Sequence, residues 1–249
     1  MPIFDAHAYF GATPFSSALS SREAVRQTMQ RYGIDGMALI SGLAAHCDFV
    51  AGNRRLMETL DASAGLFGYV TLSPDYTEES LEEQRKYLTR RDVLGGVLFG
   101  HDGQPVTVDH ARDILNAHRR YSKPMAIHVP DGAAVHAARQ IATEFSTMKF
   151  VFLGMGGEDW RTAVVTAKQH LNVYLEISGS LDADKLSHAA ATLTPRKLLF
   201  GSGLPNSDPH LILGLVAEAR GVTNHDRARI LSQNAQGLFN VLAETASQG

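Results

Sequence analysis

The chain has 249 residues, 44% hydrophobic and 20% charged, an ordinary globular composition whose length fits one large α/β domain or two small ones. A formal net charge of −3 and a pI near 6.4 argue against an electrostatic nucleic-acid surface, and the single cysteine, Cys47, excludes an intrachain disulfide framework. No apolar run approaches the roughly 18 residues of a membrane span, and "MPIFDAH" has neither the basic nor the apolar region of a signal peptide, so a cytoplasmic protein is expected.

In chain order, the runs "PIFDAH", "GMALIS", "LFGYVTL", "GGVLFG", "PMAIHV", "KFVFLG", "NVYLEIS" and "KLLFGS" read as eight strands. Several are rich in Val, Ile, Leu and Phe without strict alternation, as parallel strands covered on both faces are. Helical patterns separate them. "SREAVRQTMQRYG" starts from Ser20 with Glu23 three residues on, a capping box, and stops at Gly33. The others cover residues 51–60, 78–90, 109–121, 133–145, 159–170, 182–191 and 209–220, with a last helix over 226–242. Strict alternation with eight strands predicts a single (β/α)8 barrel over residues 1–249, closed by that C-terminal helix. A doubly wound sheet would normally show a glycine-rich phosphate turn after the first strand, and "HAYFGATPF" is not one.

In such barrels chemistry sits at the C-terminal ends of the strands. The polar residues there are His7 and Tyr9, then Ser41, His46 and Cys47, then Ser73. The fourth and fifth strands offer His101, Asp102, His128 and Asp131, and the sixth offers Met155, Glu158 and Trp160. The seventh gives Glu176 and Ser178, and the eighth Ser202, Asn206, Asp208 and His210. His110, His118, His136, His170, His188 and His225 fall in helical stretches and read as solvated surface. His101 and Asp102 are either turn residues in "FGHDGQP" or an acid/base pair at the mouth. "GMGGEDWR" offers free N–H groups ahead of a helix, with Arg161 beside them, for a carboxylate or phosphate. Trp160 is a pocket wall or an interface anchor.

"FDAHAYFG" resembles the opening Asp-x-His-x-His-x-x-Gly of the amidohydrolase superfamily, in particular its branch of metal-dependent hydrolases and decarboxylases. "YSKPMAIHV", "KFVFLGMGG", "NVYLEISG" and "KLLFGSGLPNSDP" are similar to strands 5 to 8 of that family, and "RILSQNAQGLFNV" to its closing helix. The resemblance implies a metal held by both strand-1 histidines, the strand-5 histidine, often a strand-6 histidine, and a strand-8 aspartate that also serves as base. Carried over position by position, His7 and His128 remain, whereas Tyr9, Met155 and Gly203 stand at the other three positions.

A phenol is a poor divalent-metal ligand unless deprotonated, methionine sulfur suits Cu(I) rather than zinc, and glycine offers no ligand atom. Catalytic zinc wants three protein ligands and an open position. The expectation is therefore a barrel without metal or other cofactor. A relocated metal on His7, His128 and His101, with Glu158 or Asp208 recruited, is the competing arrangement. The resemblance implies a hydrolase or lyase acting on a small cyclic or carboxylate-bearing molecule, with His128, His7, His101 and Tyr9 moving or donating protons. Met155, Gly203, Trp160, Arg161, Ser202 and Asp102 would line the substrate. The alternative is a catalytically silent barrel that binds a ligand or pairs with an intact, metal-bearing paralogue. Homo-oligomers are compatible with either reading, and neither nucleic acid nor membrane is expected as a partner.

Overall fold

The computed structural model describes residues 1–14, 16–179 and 182–241. Eight parallel strands follow the chain in unbroken order: β1 (Phe4–Phe10), β2 (Gly36–Ser41), β3 (Leu66–Leu72), β4 (Val93–Leu98), β5 (Met125–His128), β6 (Phe150–Leu153), β7 (Val173–Glu176) and β8 (Leu198–Leu199). Backbone bonds carry the sheet past β8 to β1. Ala6 N–H donates to Phe200 O (2.9 Å), Gly203 N–H to His7 O (2.8 Å) and Tyr9 N–H to Leu204 O (2.6 Å). The expected (β/α)8 barrel is the fold.

Helices α1 (Arg22–Tyr32), α3 (Phe49–Thr59), α4 (Thr77–Tyr87), α5 (Val108–His118), α6 (Gly132–Glu144), α7 (Trp160–Gln169), α8 (Ala183–Thr192) and α9 (Pro209–Glu218) alternate with the strands. A short α2 (Gly42–His46) was not legible: Ser41 caps it, so His46 and Cys47 end a helix turn rather than lie in a loop. After α9 come α10 (Asn224–Ala228), a wider π-turn over Arg229–Gln233, and α11 (Asn234–Phe239). The cap of α1 differs from expectation. Ser21, not Ser20, accepts from Ala24 N–H, and the Glu23 carboxylate takes Gln27 instead of closing a capping box.

The core forms two layers because side chains of a strand alternate between faces. Tyr9, Ile40, Tyr69, Val97, Ala126, Val151 and Leu199 fill the barrel interior. Phe10, Leu39, Leu98, Ile127, Phe152 and Leu175 pack outward under the helices. His118 overturns its surface assignment. It is fully buried, and its Nε2 donates to the carbonyls of Lys123 and Pro124 at 3.1 and 3.2 Å. The apolar stripe of α5, which carries Ala111, Ile114, Leu115 and His118 inward together, is the reason.

Candidate active site

β1 delivers His7 and Tyr9 side by side, their rings 5.1 Å apart and nearly edge to face. Both are buried, at 4% and 6% exposure. The partner of His7 comes from β7, one strand beyond the β8 neighbour of β1. Its Nδ1 lies 2.8 Å from Oε2 of Glu176, a carboxylate with no exposed surface at the end of β7. Ser178 Oγ donates to the same oxygen at 2.9 Å and sits 3.2 Å from His7 Nδ1. Gly154 N–H reaches Oε2 at 3.1 Å, and Ser178 N–H takes Oε1 at 2.5 Å. Space for the carboxylate exists because residue 201 is glycine: a Cβ there would lie 2.2 Å from Oε1.

This network fixes the imidazole. An ionised carboxylate only accepts, so Nδ1 carries the proton and Nε2 keeps a lone pair. His7 Nε2 is buried and has no partner among the described residues. Orphaned buried nitrogens of this kind are uncommon, and they mark a place where a ligand or a transferred proton belongs.

The neighbouring groups are held neutral. Burial pushes His128 down to about 4, with His7 adding to the effect, so its imidazole is uncharged at neutral pH. Its ring lies 5.5 Å from Phe99. Burial, with the Glu176 charge second, raises Tyr9 well above the ordinary phenol range, so it stays protonated. Met155 is buried at 1% exposure but belongs to the outer cluster under the helices, and Gly203 forms a left-handed turn at φ +68°.

Other expected residues lie elsewhere. His101 and Asp102 form an exposed turn in which His101 pairs with Gln104 through the backbone and with Asp102 at 3.4 Å. Trp160, at the start of α7, packs its indole on His188 (5.2 Å) beneath the Arg161 guanidinium (4.4 Å), beside Lys185 and Arg220. Ser202 has no exposed surface. Its Oγ donates to Asp5 Oδ2 at 2.5 Å and accepts from Leu204 N–H at 3.0 Å, so its hydroxyl is spent within the fold.

In the sequence Glu176 stood at a strand end without a role, and Asp5 only as the first residue of the "DAH" motif, also without one. An acid inside "VYLEIS", where every other position suits a buried strand, was the available signal for Glu176. Such a carboxylate must be paired.

The metal donors do not fit. His7 Nε2 is a suitable ligand atom and His128 is the other retained position, but the remaining three positions at which the resemblance implies ligands hold a protonated phenol, a thioether and a glycine. Among the described residues no group of three or more His, Cys, Asp or Glu side chains is placed to hold a metal ion. A catalytic divalent metal needs three.

A family model described as amidohydrolase matches residues 6–241. No curated protein matches the sequence. Among solved structures, a 2,6-dihydroxybenzoate decarboxylase bound to 2,6-dihydroxybenzoate superposes with a TM-score of 0.73 at 15% identity, covering 96% of this chain and 99% of that one. A dihydroxybenzoic acid decarboxylase from Polaromonas sp. JS666, with manganese and 2-nitroresorcinol, gives 0.72 at 15% identity, covering 96% and 97%. A probable 2-pyrone-4,6-dicarboxylic acid hydrolase from Acinetobacter baumannii, with citric acid bound, gives 0.72 at 14% identity, covering 96% and 100%. At these identities the likeness is one of fold.

Proposed function

The chain belongs to the amidohydrolase family, and from that premise we propose that it is a metal-independent hydrolase or lyase of a small carboxylate-bearing molecule, driven by His7 and Glu176. The observation that carries this reading is the bare, buried Nε2 of a histidine whose Nδ1–H is held at 2.8 Å by a buried carboxylate. That arrangement makes a general base with its tautomer fixed and a counter-charge waiting for the imidazolium.

For a lactone-like ester the step balances without a metal. His7 Nε2 takes a proton from water as the water oxygen bonds to the carbonyl carbon. The imidazolium returns that proton to the ring oxygen as the C–O bond breaks. Glu176 stays ionised throughout and stabilises the cation between the two transfers. Neutral Tyr9 and neutral His128 supply N–H and O–H donors for a carbonyl oxygen that gains charge. An unactivated amide is a poorer substrate for this machinery, because no metal hydroxide is available to attack it. The carboxylate on the substrate is carried over from the ligands of the structurally similar enzymes.

The test uses 2-pyrone-4,6-dicarboxylate and 2,6-dihydroxybenzoate as first substrates, before and after chelation. Activity that survives chelation and falls about 100-fold or more in kcat in both His7→Asn and Glu176→Gln is expected. Activity abolished by chelation and restored by manganese or zinc overturns the metal-independent reading. No turnover across a wider panel of lactones and hydroxybenzoates favours the silent barrel, for which the missing strand-8 carboxylate at Gly203 is the supporting feature.

A further inference from the structure

We propose that the barrel admits the uncharged end of its substrate and keeps any carboxylate outside, and that the Thr71 hydroxyl of β3 is a further contact for the end that enters. The inference deepens the proposed function and rests on its metal-free reading of the His7 site.

The sign of the buried charge carries the first half. Asp5 and Glu176 are buried carboxylates, whereas no lysine or arginine is among the buried side chains. Residues 15, 180, 181 and 242–249, outside the described set, contain no lysine or arginine either. Beyond burial itself, the groups that raise Tyr9 and Tyr69 are carboxylates, Glu176 for the first and Glu176 with Asp5 for the second. Beyond burial, the strongest influences on His128 are His7, Glu176, His46 and Asp131, none of them a lysine or arginine. A substrate carboxylate drawn inside would lose its hydration and meet Glu176 with no fixed cation to offset either cost. A lactone carbonyl or a ring hydroxyl needs only hydrogen bonds.

Thr71 is placed to supply one. It is 3% exposed, and its Oγ1 has no partner among the described residues. Its backbone is clamped from α3: Thr71 N–H donates to Asn53 Oδ1 and Asn53 Nδ2 donates to Thr71 O, each at 2.9 Å. The side chain faces inward. Tyr69, two residues earlier on the same strand face, belongs to the interior cluster, as does Val97, with which Thr71 pairs. Tyr69 occupies the deeper layer, its hydroxyl donating to Ala6 O at 3.1 Å. Alternate strands fill a barrel layer together, so the next inward position of β3 shares its space with His7 of β1, His128 of β5 and Glu176 of β7. A hydroxyl both donates and accepts, which suits a lactone oxygen while His7 Nε2 serves the attacking water.

The probes are 2-pyrone and two of its carboxylates. Coumalate, the 5-carboxylate, carries its charge on the ring atom opposite the lactone carbonyl, and 2-pyrone-3-carboxylate carries the same charge beside it. Binding is measured by titration calorimetry on the chelator-treated full chain, and ring opening is followed separately by ultraviolet absorbance. A barrel that turns nothing over can therefore still bear the inference out, and an active one can refute it. Coumalate should bind about 10-fold or more tightly than the 3-carboxylate. Thr71→Val, which keeps the shape and removes the hydroxyl, should weaken 2-pyrone and coumalate about fivefold, and Thr71→Ser should restore them. Equal or tighter binding of the 3-carboxylate overturns the proposal, as does absence of binding by 2-pyrone and coumalate. So does a Thr71→Val protein that binds like the parent and merely melts higher, since the hydroxyl would then only fill space.

Discussion

Three titratable residues of the interior respond to acid, and they do not all pull the same way. His118 and His128 are each pushed by burial from 6.5 to about 4, so the native state refuses protons that the unfolded chain accepts. Their contribution is whole above pH 6.5 and is lost as the pH falls towards 4. Asp5 is raised by burial from 3.8 to about 6, which works in the opposite direction: the native state takes its proton first, gaining relative stability as the pH falls from 6 to 3.8. Two histidines against one aspartate leave a net loss on acidification. His118→Gln keeps an N–H donor for Lys123 O and Pro124 O while removing the titration. Its fall in stability between pH 7 and pH 5 should be smaller than that of the parent by on the order of 2 kcal/mol, measured by urea unfolding at both values. An identical slope in the two proteins would mean that His118 is solvated in solution. At this scale the sequence was only partly legible. His7 announced itself through "FDAH" at a strand end, since the residue type and the position coincide. Glu176 did not, because its importance comes from a contact 169 residues away. His118 looked like surface because a lone histidine in a helix carries no sign of which face it occupies.

The elements show what surrounds the positions at which the resemblance implies metal ligands. The segment after β6 runs through four successive positive φ angles, at Gly154 (+79°), Met155 (+54°), Gly156 (+82°) and Gly157 (+55°). Three of the four are glycine, for which such angles cost little, whereas Met155 pays a steric penalty of roughly 1–2 kcal/mol. Its burial offsets that cost. The turn aims Gly154 N–H at Glu176, so β6 and β7 are joined by the same carboxylate that orients His7. β8 ends similarly, with Gly203 at φ +68° and its missing Cβ 3.3 Å from Ser178 Cβ. Gly203→Asp alone should therefore destabilise the protein by about 2–4 kcal/mol, from backbone strain, crowding of Ser178 and a carboxylate placed close to Glu176. Adding Tyr9→His and Met155→His should recover part of that loss only when zinc is present, because three or four ligands act together. Titration calorimetry of the single and triple variants decides it. A single variant that binds zinc as tightly as the triple would show that the site never lost its ligand geometry. The strands and most helices were legible because their apolar periodicity is local. The short α2 and the left-handed turn were not: five residues carry no periodicity, and "GMGG" gives no angle for its methionine.

Across the whole molecule the barrel depends on one seam, where the first strand meets the last. Asp5 holds it, accepting from Ser202 N–H (2.9 Å) and Ser202 Oγ (2.5 Å) across 197 residues of chain, and from His7 N–H (3.1 Å) on its own strand. Phe200 O takes Ala6 N–H, while Phe200 N–H turns outward to the carbonyl of Ile230. That carbonyl lies in the π-turn, whose wider winding changes the local pattern of backbone bonds. Asn234 adds two bonds, to Pro195 O and Leu198 O, so the C-terminal helix is bound to β8 from outside while β1 binds it from the side. A seam joining the chain's two ends couples every unit between them. Asp5→Ala leaves two N–H groups and a hydroxyl unpaired in a buried place and should cost about 3 kcal/mol or more. Asp5→Asn keeps a carbonyl acceptor for the two N–H groups and removes a buried charge, so at pH 7 it should lie much closer to the parent. The informative comparison is between probes. Trp160 is the only tryptophan and sits on α7, away from the seam, whereas far-UV circular dichroism reports all the helices. If the seam governs the barrel as one cooperative unit, Asp5→Ala lowers the urea midpoint by the same amount in tryptophan fluorescence and in circular dichroism. A fluorescence midpoint left at the parent value, with the dichroism midpoint lowered, would show that the half carrying α7 holds together without the seam, and that closure at Asp5 stabilises only the strands beside it.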